Sequence, residues 1–343
     1  DTLAPYTAGL TLEERMGGEH SQIELANNPT VVENAFYTMS FSGRDHAGNK
    51  TKRAFISGLQ YDFTPPKLTW QSPLAGDAVN LKDIHFENSE LLDSGTITWS
   101  WVGSVADPDS IHAMALTGDE LNGAEFGPAA IANSPPLVDG AEYNISSSGF
   151  APAGNESNHI IIQNVLYDIT QPAVISVAEE WTAVNPVLGD LAVQLDLSEP
   201  VVSGAINLSS AQDDQYQLEY NLVEQKKYDI TISGPFTGGD ELFIKVTGLQ
   251  DRAGTIARDT TFTYPVGYLS DYNLDGLVDV LDLSKLVTGW QSKDFQYELG
   301  PTVGKVPFLK PDVDGQFDIY DAAAFTRMWH WSLNKSGKMI PRY

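Results

Sequence analysis

An internal repeat of 106 residues constrains the fold of this chain more than any other feature of its sequence. The phrase YDFTPP, which begins at Tyr61, returns as YDITQP at Tyr167. Roughly a third of residues 1–66 are identical to their counterparts in residues 107–172 without a gap, against about one in twenty expected by chance. A repeat on this scale means that one module occurs more than once. The chain is therefore predicted to be a tandem array.

The first copy of this module is incomplete. Asp1 aligns with Asp107, so the first copy lacks a counterpart of residues 67–106. Those residues contain three apolar stretches that are typical of strands, and a sandwich without them exposes unpaired strand edges. We therefore expect either that the chain belongs to a longer array or that strands of a neighbouring copy complete the first module.

Alternation of apolar and polar residues predicts the secondary structure of the later modules. The pattern is found at Ile97–Trp101, Leu191–Leu197 and Tyr228–Ile232. Short period-two segments bounded by Gly, Pro, Asn and Asp indicate antiparallel β-sandwiches. The predicted fold class is mostly β, with an incomplete module at 1–66, a complete one at 67–172 and a more distant one at 173–267.

Several phrases within these modules resemble a known family. The segments SGTITWSWVGSVADPDSIHAMALTGDEL, LVDGAEYNIS, DHAGN and LYDITQP resemble the immunoglobulin-like (Ig-like) repeats of very large bacterial surface and secreted proteins. The third module, with LSEPV and DRAGT, resembles the related bacterial Ig-like domain of surface-layer and adhesin proteins. Over residues 1–267 the resemblance implies tandem Ig-like β-sandwiches with a spacer, adhesive or structural role, and it names no ligand.

The charge of the chain restricts its partners. Its 343 residues include 20 Lys and Arg against 46 Asp and Glu, which gives a formal net charge of −26. Nucleic acids and anionic membranes attract basic surfaces, so neither is expected as a partner, and divalent cations are the natural candidates. The sequence has no apolar run long enough for a membrane span. It also has no Cys, which excludes disulfides and thiolate chemistry and suits an acidic extracellular bacterial protein.

A dense acidic segment begins at Asp271. Ca²⁺ takes six to eight oxygen ligands, and a 12-residue loop supplies them from positions 1, 3, 5, 7, 9 and 12, with Gly at position 6. Here Gly276 is at position 6, and position 7 contributes its backbone carbonyl. The predicted ligands are Asp271, Asn273, Asp275, Leu277, Asp279 and Asp282. Every position is filled, which predicts a strong calcium site.

A second loop follows at a spacing of 39 residues. Its predicted ligands are Asp312, Asp314, Gln316, Asp318 and Asp321, with Gly315 at position 6. Position 1, however, falls on Lys310, whose ammonium group has no lone pair to offer a metal. The second site is therefore expected to be weak, distorted or empty. Leu286 and Phe325 recur at the same spacing, so the duplication extends to apolar residues of the segments that follow the loops.

The paired loops, each with Asp at position 12 and a single helix after it, resemble the dockerin module of cellulosomal and related proteins. The resemblance covers residues 268–333 of a predicted module at 268–343, a small α-helical, EF-hand-like calcium module. Dockerins bind cohesin modules through positions 10 and 11 of each loop. Here those positions hold Val280, Leu281, Ile319 and Tyr320. These residues are more apolar than the Ser-Thr pair of many cellulosomal examples.

No catalytic motif is present, since the sequence has no phosphate-binding glycine loop, zinc-binding HExxH helix or nucleophile elbow. The leading hypothesis is a non-enzymatic, extracellular or cell-surface rod of Ig-like modules with a calcium-loaded dockerin-like module for attachment to a cohesin-like partner. One alternative is a subunit of a self-assembling filament or layer, in which neighbouring copies complete the first module by strand addition. Another is the non-catalytic tail of a secreted carbohydrate-active enzyme, with polysaccharide as a possible ligand.

Overall fold

The computed structural model describes residues 1–21, 24–177, 186–187 and 190–335. The chain divides into two compact units, the first made of residues 1–77 and 81–166 and the second of residues 78–80 and 167–343. Both units consist mainly of antiparallel strands, which confirms the mostly β fold class.

The elements are numbered along the chain. Those of the first modules are β1 (Phe36–Phe41), β2 (Ala54–Gln60), β3 (Leu68–Ser72), β4 (Ala78–Val79), β5 (Asp83–Asn88), β6 (Ser94–Trp101), β7 (His112–Ala115), β8 (Glu125–Ala130), β9 (Ala141–Phe150) and β10 (Ile160–Tyr167). Those that follow are β11 (Val174–Val177), β12 (Asp190–Leu197), β13 (Val201–Ser210), β14 (Gln217–Val223), β15 (Lys227–Ser233), β16 (Glu241–Asp251), β17 (Thr260–Pro265), α1 (Val280–Ser292), β18 (Thr302–Lys305), β19 (Phe308–Pro311) and α2 (Ile319–Lys335).

Two sheets form the complete module of unit 1. In one sheet β10, β9, β6 and β7 lie side by side, and in the other β3, β5 and β8 do so. The alternating residues Ile97 and Trp99 point into the core, as predicted, and Trp99 packs edge-on against Tyr143 with ring centroids 5.9 Å apart. Trp101 was expected on the same buried face. It is instead 39% exposed, because it is the last residue of β6 and lies at the edge of the core.

A tyrosine hydrogen-bond network recurs at the spacing of the sequence repeat. The hydroxyl of Tyr143 donates to Asp107 Oδ2 (2.7 Å) and accepts from the backbone N of Val138 (2.9 Å). One repeat earlier, Tyr37 donates in the same way to Asp1 Oδ2 (2.5 Å). The duplication therefore extends from residue identity to individual hydrogen bonds.

A glutamate clamp repeats in the same manner. Glu120, which is 3% exposed, accepts from the backbone N of Thr117 (2.6 Å) and of Ala132 (2.5 Å), so it ties together two loop segments. Glu14 accepts the equivalent two bonds in the first copy. The glutamate therefore joins the same two loop segments in both modules. The predicted 106-residue repeat is confirmed.

The first module presents a two-stranded sheet. Strand β1 pairs with β2, and the part of the chain that the structure describes gives β1 no other strand neighbour. In the second module the counterpart of β1 is β9, which pairs with β6 over eight residue positions from Ser94 to Trp101. Large apolar side chains of the two-stranded sheet are consequently exposed: Phe36, Met39, Phe41, Phe55, Ile56 and Leu59.

Unit 2 contains a sandwich of two sheets, in the orders β11-β12-β15-β14 and β13-β16-β17. The predicted alternation is confirmed here, because Leu191 through Leu197 on β12 and Tyr228 through Ile232 on β15 bury every second side chain. These side chains meet those of β16 and β17 in one apolar cluster.

Two helices complete unit 2. Asp279 caps the N-terminus of α1 by accepting from the backbone N of Leu281 (2.8 Å), and the residues on the inner face of each helix form a second apolar cluster. Leu286 on α1 and Phe325 on α2 are each 3% exposed within it. A single helix after each acidic loop agrees with the prediction from the sequence.

Candidate functional site

The first acidic loop is closed by its own carboxylates. Asp271 accepts from the backbone N of Asp275 at Oδ1 (3.2 Å) and of Gly276 at Oδ2 (2.9 Å). From the other end of the loop, Asp282 accepts from the backbone N of Tyr272 (2.8 Å) and of Asp279 (3.0 Å). These hydrogen bonds connect both the first and the last predicted ligand to the backbone of the same loop.

Smaller turns shape the remaining positions of this loop. Asp275 accepts at Oδ1 from the backbone N of Leu277 (2.9 Å) and at Oδ2 from the side-chain amide of Asn273 (2.9 Å). Gly276 has a φ of +82°, which an L side chain adopts only under strain, so a glycine is suited to position 6. The side chains of the predicted ligands and the glycine at position 6 therefore shape the turn of this loop.

The two buried carboxylates of the first loop have raised pKa values. Asp271 is 3% exposed and Asp282 is 1% exposed. Burial raises the pKa of Asp271 to about 6, and the nearby charges of Asp282 and Asp275 contribute to this rise. Burial also raises the pKa of Asp282. Buried oxygen donors with raised pKa values fit a hard divalent cation, because its charge offsets their mutual repulsion.

The second loop repeats these contacts with a different first residue. Glu298, which is 1% exposed, accepts at Oε1 from the backbone N of Asp314 (2.6 Å) and of Gly315 (2.9 Å). Asp321 accepts at Oδ1 from the backbone N of Leu299 (2.7 Å) and of Gly300 (2.9 Å). Glu298 thus has the role of Asp271, and Asp321 has the role of Asp282.

Lys310 is not the first residue of the second loop, and the assignment from sequence spacing was wrong at this position. The loop is interrupted after Gly300 by residues 301–311, which contain the hairpin of β18 and β19. It resumes at Asp312, whose backbone N donates to the carbonyl of Pro301 (2.8 Å). A count at constant spacing starts inside this hairpin and misses Glu298.

The other predicted ligands of the second loop lie where the first loop has theirs. Asp314 accepts from the backbone N of Gln316 (3.0 Å), as Asp275 does from Leu277. Asp318 accepts from the backbone N of Tyr320 (2.7 Å) at the start of α2. Asp312 and Gln316 are exposed.

Lys310 instead joins the hairpin to the sandwich of unit 2. Its Nζ lies 3.8 Å from Asp214 Oδ1 and 5.1 Å from the ring centroid of Tyr216. Beside it, the carbonyl of Leu309 accepts from the backbone N of Gly238 (2.9 Å). The basic residue therefore serves packing between two parts of unit 2.

The four residues predicted to contact a partner lie at the beginnings of the two helices. All are apolar or aromatic and well exposed, with exposed fractions of 63% for Val280, 60% for Leu281, 73% for Ile319 and 57% for Tyr320. Exposed apolar pairs at two equivalent places are unusual for an isolated surface and are typical of contact sites.

A further acidic group lies outside the loops and was not identified from the sequence. Asp168, Glu199 and Asp251 each offer a carboxylate oxygen, and these three oxygens all lie within 4.8 Å of one another. In the described residues no other set of three or more acidic, His or Cys side chains is gathered this closely. The carboxylates of the two loops accept hydrogen bonds from backbone amides.

Comparisons with known proteins give structural neighbours only. No family model matches the chain, and no curated protein matches it. Among solved structures, it is similar to a crystal structure of Rst (11% identity, TM-score 0.31, 58% of this chain and 98% of that one) and to an I-band fragment of titin (11%, 0.38, 60% and 65%). It is also similar to fibronectin(III)-like modules of CbhA from Clostridium thermocellum (13%, 0.27, 58% and 94%).

The sheets and the repeated hydrogen bonds of the chain itself define its class: a mostly β protein of tandem sandwich modules. Within the residues described, neither helix is both long enough and apolar enough to cross a membrane.

Proposed function

We propose that the chain is an extracellular structural or adhesive protein whose Ig-like modules carry a calcium-binding, dockerin-like attachment module at residues 268–335. The observation that carries the proposal is the matched geometry of the two loops. Each has a buried acidic residue before the turn, Asp271 or Glu298, and a buried aspartate at the helix start, Asp282 or Asp321. Each loop also presents an exposed apolar pair beside it.

Calcium would be held by the carboxylates that close each loop. In the first loop these are Asp271, Asp275 and Asp282, with the amide oxygen of Asn273 and with Asp279 at the start of α1 as further oxygen ligands. Bound Ca²⁺ would supply charge neutralisation and a fixed loop shape. The chain itself supplies the amide network that orients each carboxylate, and the helices that hold the exposed pairs apart.

The partner surface follows from the same geometry. Val280 and Leu281 begin α1, and Ile319 and Tyr320 begin α2, so the loops and the exposed pairs are rigidly connected. Burying four large apolar side chains provides most of the affinity in a small interface, since each contributes about 1.5–3 kcal/mol when fully buried. A cohesin-like module is the partner that the sequence resemblance suggests, and this pairing is the part that requires direct testing.

Calorimetry of the full chain with CaCl₂ or a chelator tests the calcium step. Because binding free energy adds to the stability of the folded state, chelation should lower the transition of residues 268–335 and leave the sandwich transitions in place. A scan that is identical in calcium and in chelator would contradict the proposal.

The attachment step is tested with purified cohesin modules. The double variant Val280→Asp/Ile319→Asp should lose cohesin binding while retaining its calcium-dependent transition. A matched control is Val303→Asp, on the exposed hairpin strand β18 and equally apolar at 61% exposure. Binding that is lost equally in the control, or absent in the unmodified chain, would remove the cohesin assignment.

A second function is favoured by the sheet of β1 and β2. Its exposed apolar side chains fit strand addition from another copy, with β1 as the strand that receives it. Light scattering of the purified chain over a range of concentrations tests this proposal. Concentration-dependent assembly that Phe55→Lys abolishes supports it, and a monomer at every concentration contradicts it.

A further inference from the structure

The three carboxylates gathered in unit 2 come from separate parts of the chain. Asp168 follows β10 in the segment that leads to β11. Glu199 lies in the turn between β12 and β13, and Asp251 is the last residue of β16. Three acidic oxygens within 4.8 Å of one another repel unless protons or a cation compensate them.

Asp251 provides an independent indication of a ligand. The residue is 2% exposed, and its Oδ1 accepts from the backbone N of Thr255 (2.8 Å). Its Oδ2 is buried and has no hydrogen-bond partner among the described residues. A buried carboxylate oxygen without a donor is costly, and this one belongs to the side chain that is gathered with Asp168 and Glu199.

In the first module the equivalent aspartate, which is exposed, has donors for both of its carboxylate oxygens. There, Asp45 occupies the same place in the motif DHAGN, and it accepts from Asn49 twice, from the backbone N at Oδ1 (2.8 Å) and from the side-chain amide at Oδ2 (2.8 Å). In the motif DRAGT the asparagine is replaced by Thr255, which has no amide to donate. Its hydroxyl donates instead to the carbonyl of Asp168 (3.4 Å).

The second module provides a comparison with one carboxylate fewer. Asp62 and Glu90 correspond to Asp168 and Glu199. Burial raises the pKa of Glu90, and the charge of Asp62 adds to this rise. The place of Asp251 is taken by Ala151, whose backbone N donates to the carbonyl of Asn155 (2.9 Å) just as that of Asp251 does to Thr255 (3.1 Å). A third carboxylate is therefore not required by the turn itself.

We propose that Asp168, Glu199 and Asp251 form a divalent-cation site, best suited to Ca²⁺, that fastens the segment before β11 to the sandwich of unit 2. The oxygen ligands are of the hard type. Oxygens within 4.8 Å of one another can all contact a single Ca²⁺ at Ca–O distances of about 2.3–2.6 Å, and ligands from three separate segments suit the flexible coordination of Ca²⁺ better than the strict octahedron of Mg²⁺. This site is independent of the C-terminal loops.

The test counts bound calcium on the full chain by equilibrium dialysis with radioactive Ca²⁺ and by titration calorimetry at pH 7. Asp251→Asn keeps an acceptor for the backbone N of Thr255, so it should fold normally while losing one equivalent of Ca²⁺ or binding it at least tenfold more weakly. Glu90→Gln, in the two-carboxylate counterpart, is the matched control and should bind as much Ca²⁺ as the unmodified chain.

A second variant tests the site from the opposite direction. Thr255→Asn restores the amide that satisfies Asp45 in the first module, so it should lower calcium affinity at this site without removing a carboxylate. Asp271→Asn should remove a different equivalent, and its effect should add to that of Asp251→Asn. Additive losses would show that the two variants act at separate calcium sites, so a failure of the present proposal can be distinguished from a failure of the calcium proposal for the C-terminal loops.

Hydrogen exchange locates the effect. Calcium should slow exchange at residues 168–173 in the unmodified chain and have no effect there in Asp251→Asn. Undiminished calcium binding in Asp251→Asn, or an equal loss in Glu90→Gln, would overturn the proposal. Equal protection by Mg²⁺ at the same concentration would overturn the preference for Ca²⁺.

Discussion

Glu298 lies in the second acidic loop where Asp271 lies in the first. Both carboxylates are buried, and both accept from the backbone amides of the turn glycine and of the residue before it, which are Gly315 and Asp314 in one loop and Gly276 and Asp275 in the other. The longer side chain of Glu298 reaches the turn across the base of an inserted hairpin. The second loop therefore has an acidic first residue.

Replacing Glu298 should affect metal binding more than folding. Glu298→Gln keeps Oε1 as an acceptor for both amides but removes the charge, so calcium affinity of the second loop is expected to fall about tenfold or more, equivalent to about 1.4 kcal/mol. Titration calorimetry of the variant and the unmodified chain measures the change. Unaltered affinity would show that Glu298 has a structural role only.

Lys310 should be dispensable for calcium. Lys310→Met removes the contacts with Asp214 and Tyr216, which are partly exposed, so unfolding should become easier by no more than about 1 kcal/mol. Calcium titrations should be unchanged. If Lys310→Asp strengthened the second site while Glu298→Gln left it intact, the loop would begin at position 310 after all.

Two glycines of the second loop should differ in their tolerance of a side chain. Gly315 has a φ of +79° and open space around it, so Gly315→Ala should cost about 1 kcal/mol. At Gly300, with a φ of +57°, a Cβ would in addition collide with the backbone carbonyl of Asp312. Gly300→Ala is expected to cost more than about 2 kcal/mol. Urea unfolding of the two variants should give this order, and equal costs would contradict the position of the hairpin base.

Acid should weaken the second module through Asp107. Burial opposes its ionisation, but hydrogen bonds from Tyr143 and the contact with His112 prevail and hold the pKa of Asp107 below 3.8. A lowered pKa in the folded state adds stability that is complete above about pH 5 and is lost as the pH falls through the folded-state value.

Asp107→Asn makes this contribution measurable. The variant should be less stable than the unmodified chain by about 1–3 kcal/mol at pH 7, and the difference should shrink towards pH 3. Urea unfolding at a series of pH values gives both curves. A difference that stays constant down to pH 3 would show that the charge of Asp107 is not the cause.

The sequence predicted the features that depend on local pattern. The 106-residue repeat is visible because Tyr37 and Tyr143 retain the same hydrogen-bonding partners, and such partners restrict substitution. Alternation on β12 identified a buried face because successive side chains of a strand point to opposite sides. The prediction of a single helix after each acidic loop agrees with α1 and α2.

Features that depend on distant chain segments were missed. Glu298 is separated from Asp314 by a hairpin, so no fixed spacing connects the two residues. The gathering of Asp168, Glu199 and Asp251 requires the sandwich to be folded, and nothing in a local window distinguishes these three from the other acidic residues. A signal was nevertheless present, because the change from DHAGN to DRAGT replaces an amide donor. The module boundaries, the calcium occupancy and the cohesin partner stay predictions.

The hairpin of β18 and β19 is attached at its base and along the middle of β19. At its base, Gly300 and Asp312 close the second loop, and in the middle of β19 Leu309 and Lys310 contact the sandwich of unit 2. A pulling force applied through α2 would have to rupture these two attachments together before the helix could peel away. The inserted strands thus attach the second helix to the sandwich. A partner bound at the helix starts would transmit force directly into the sandwich.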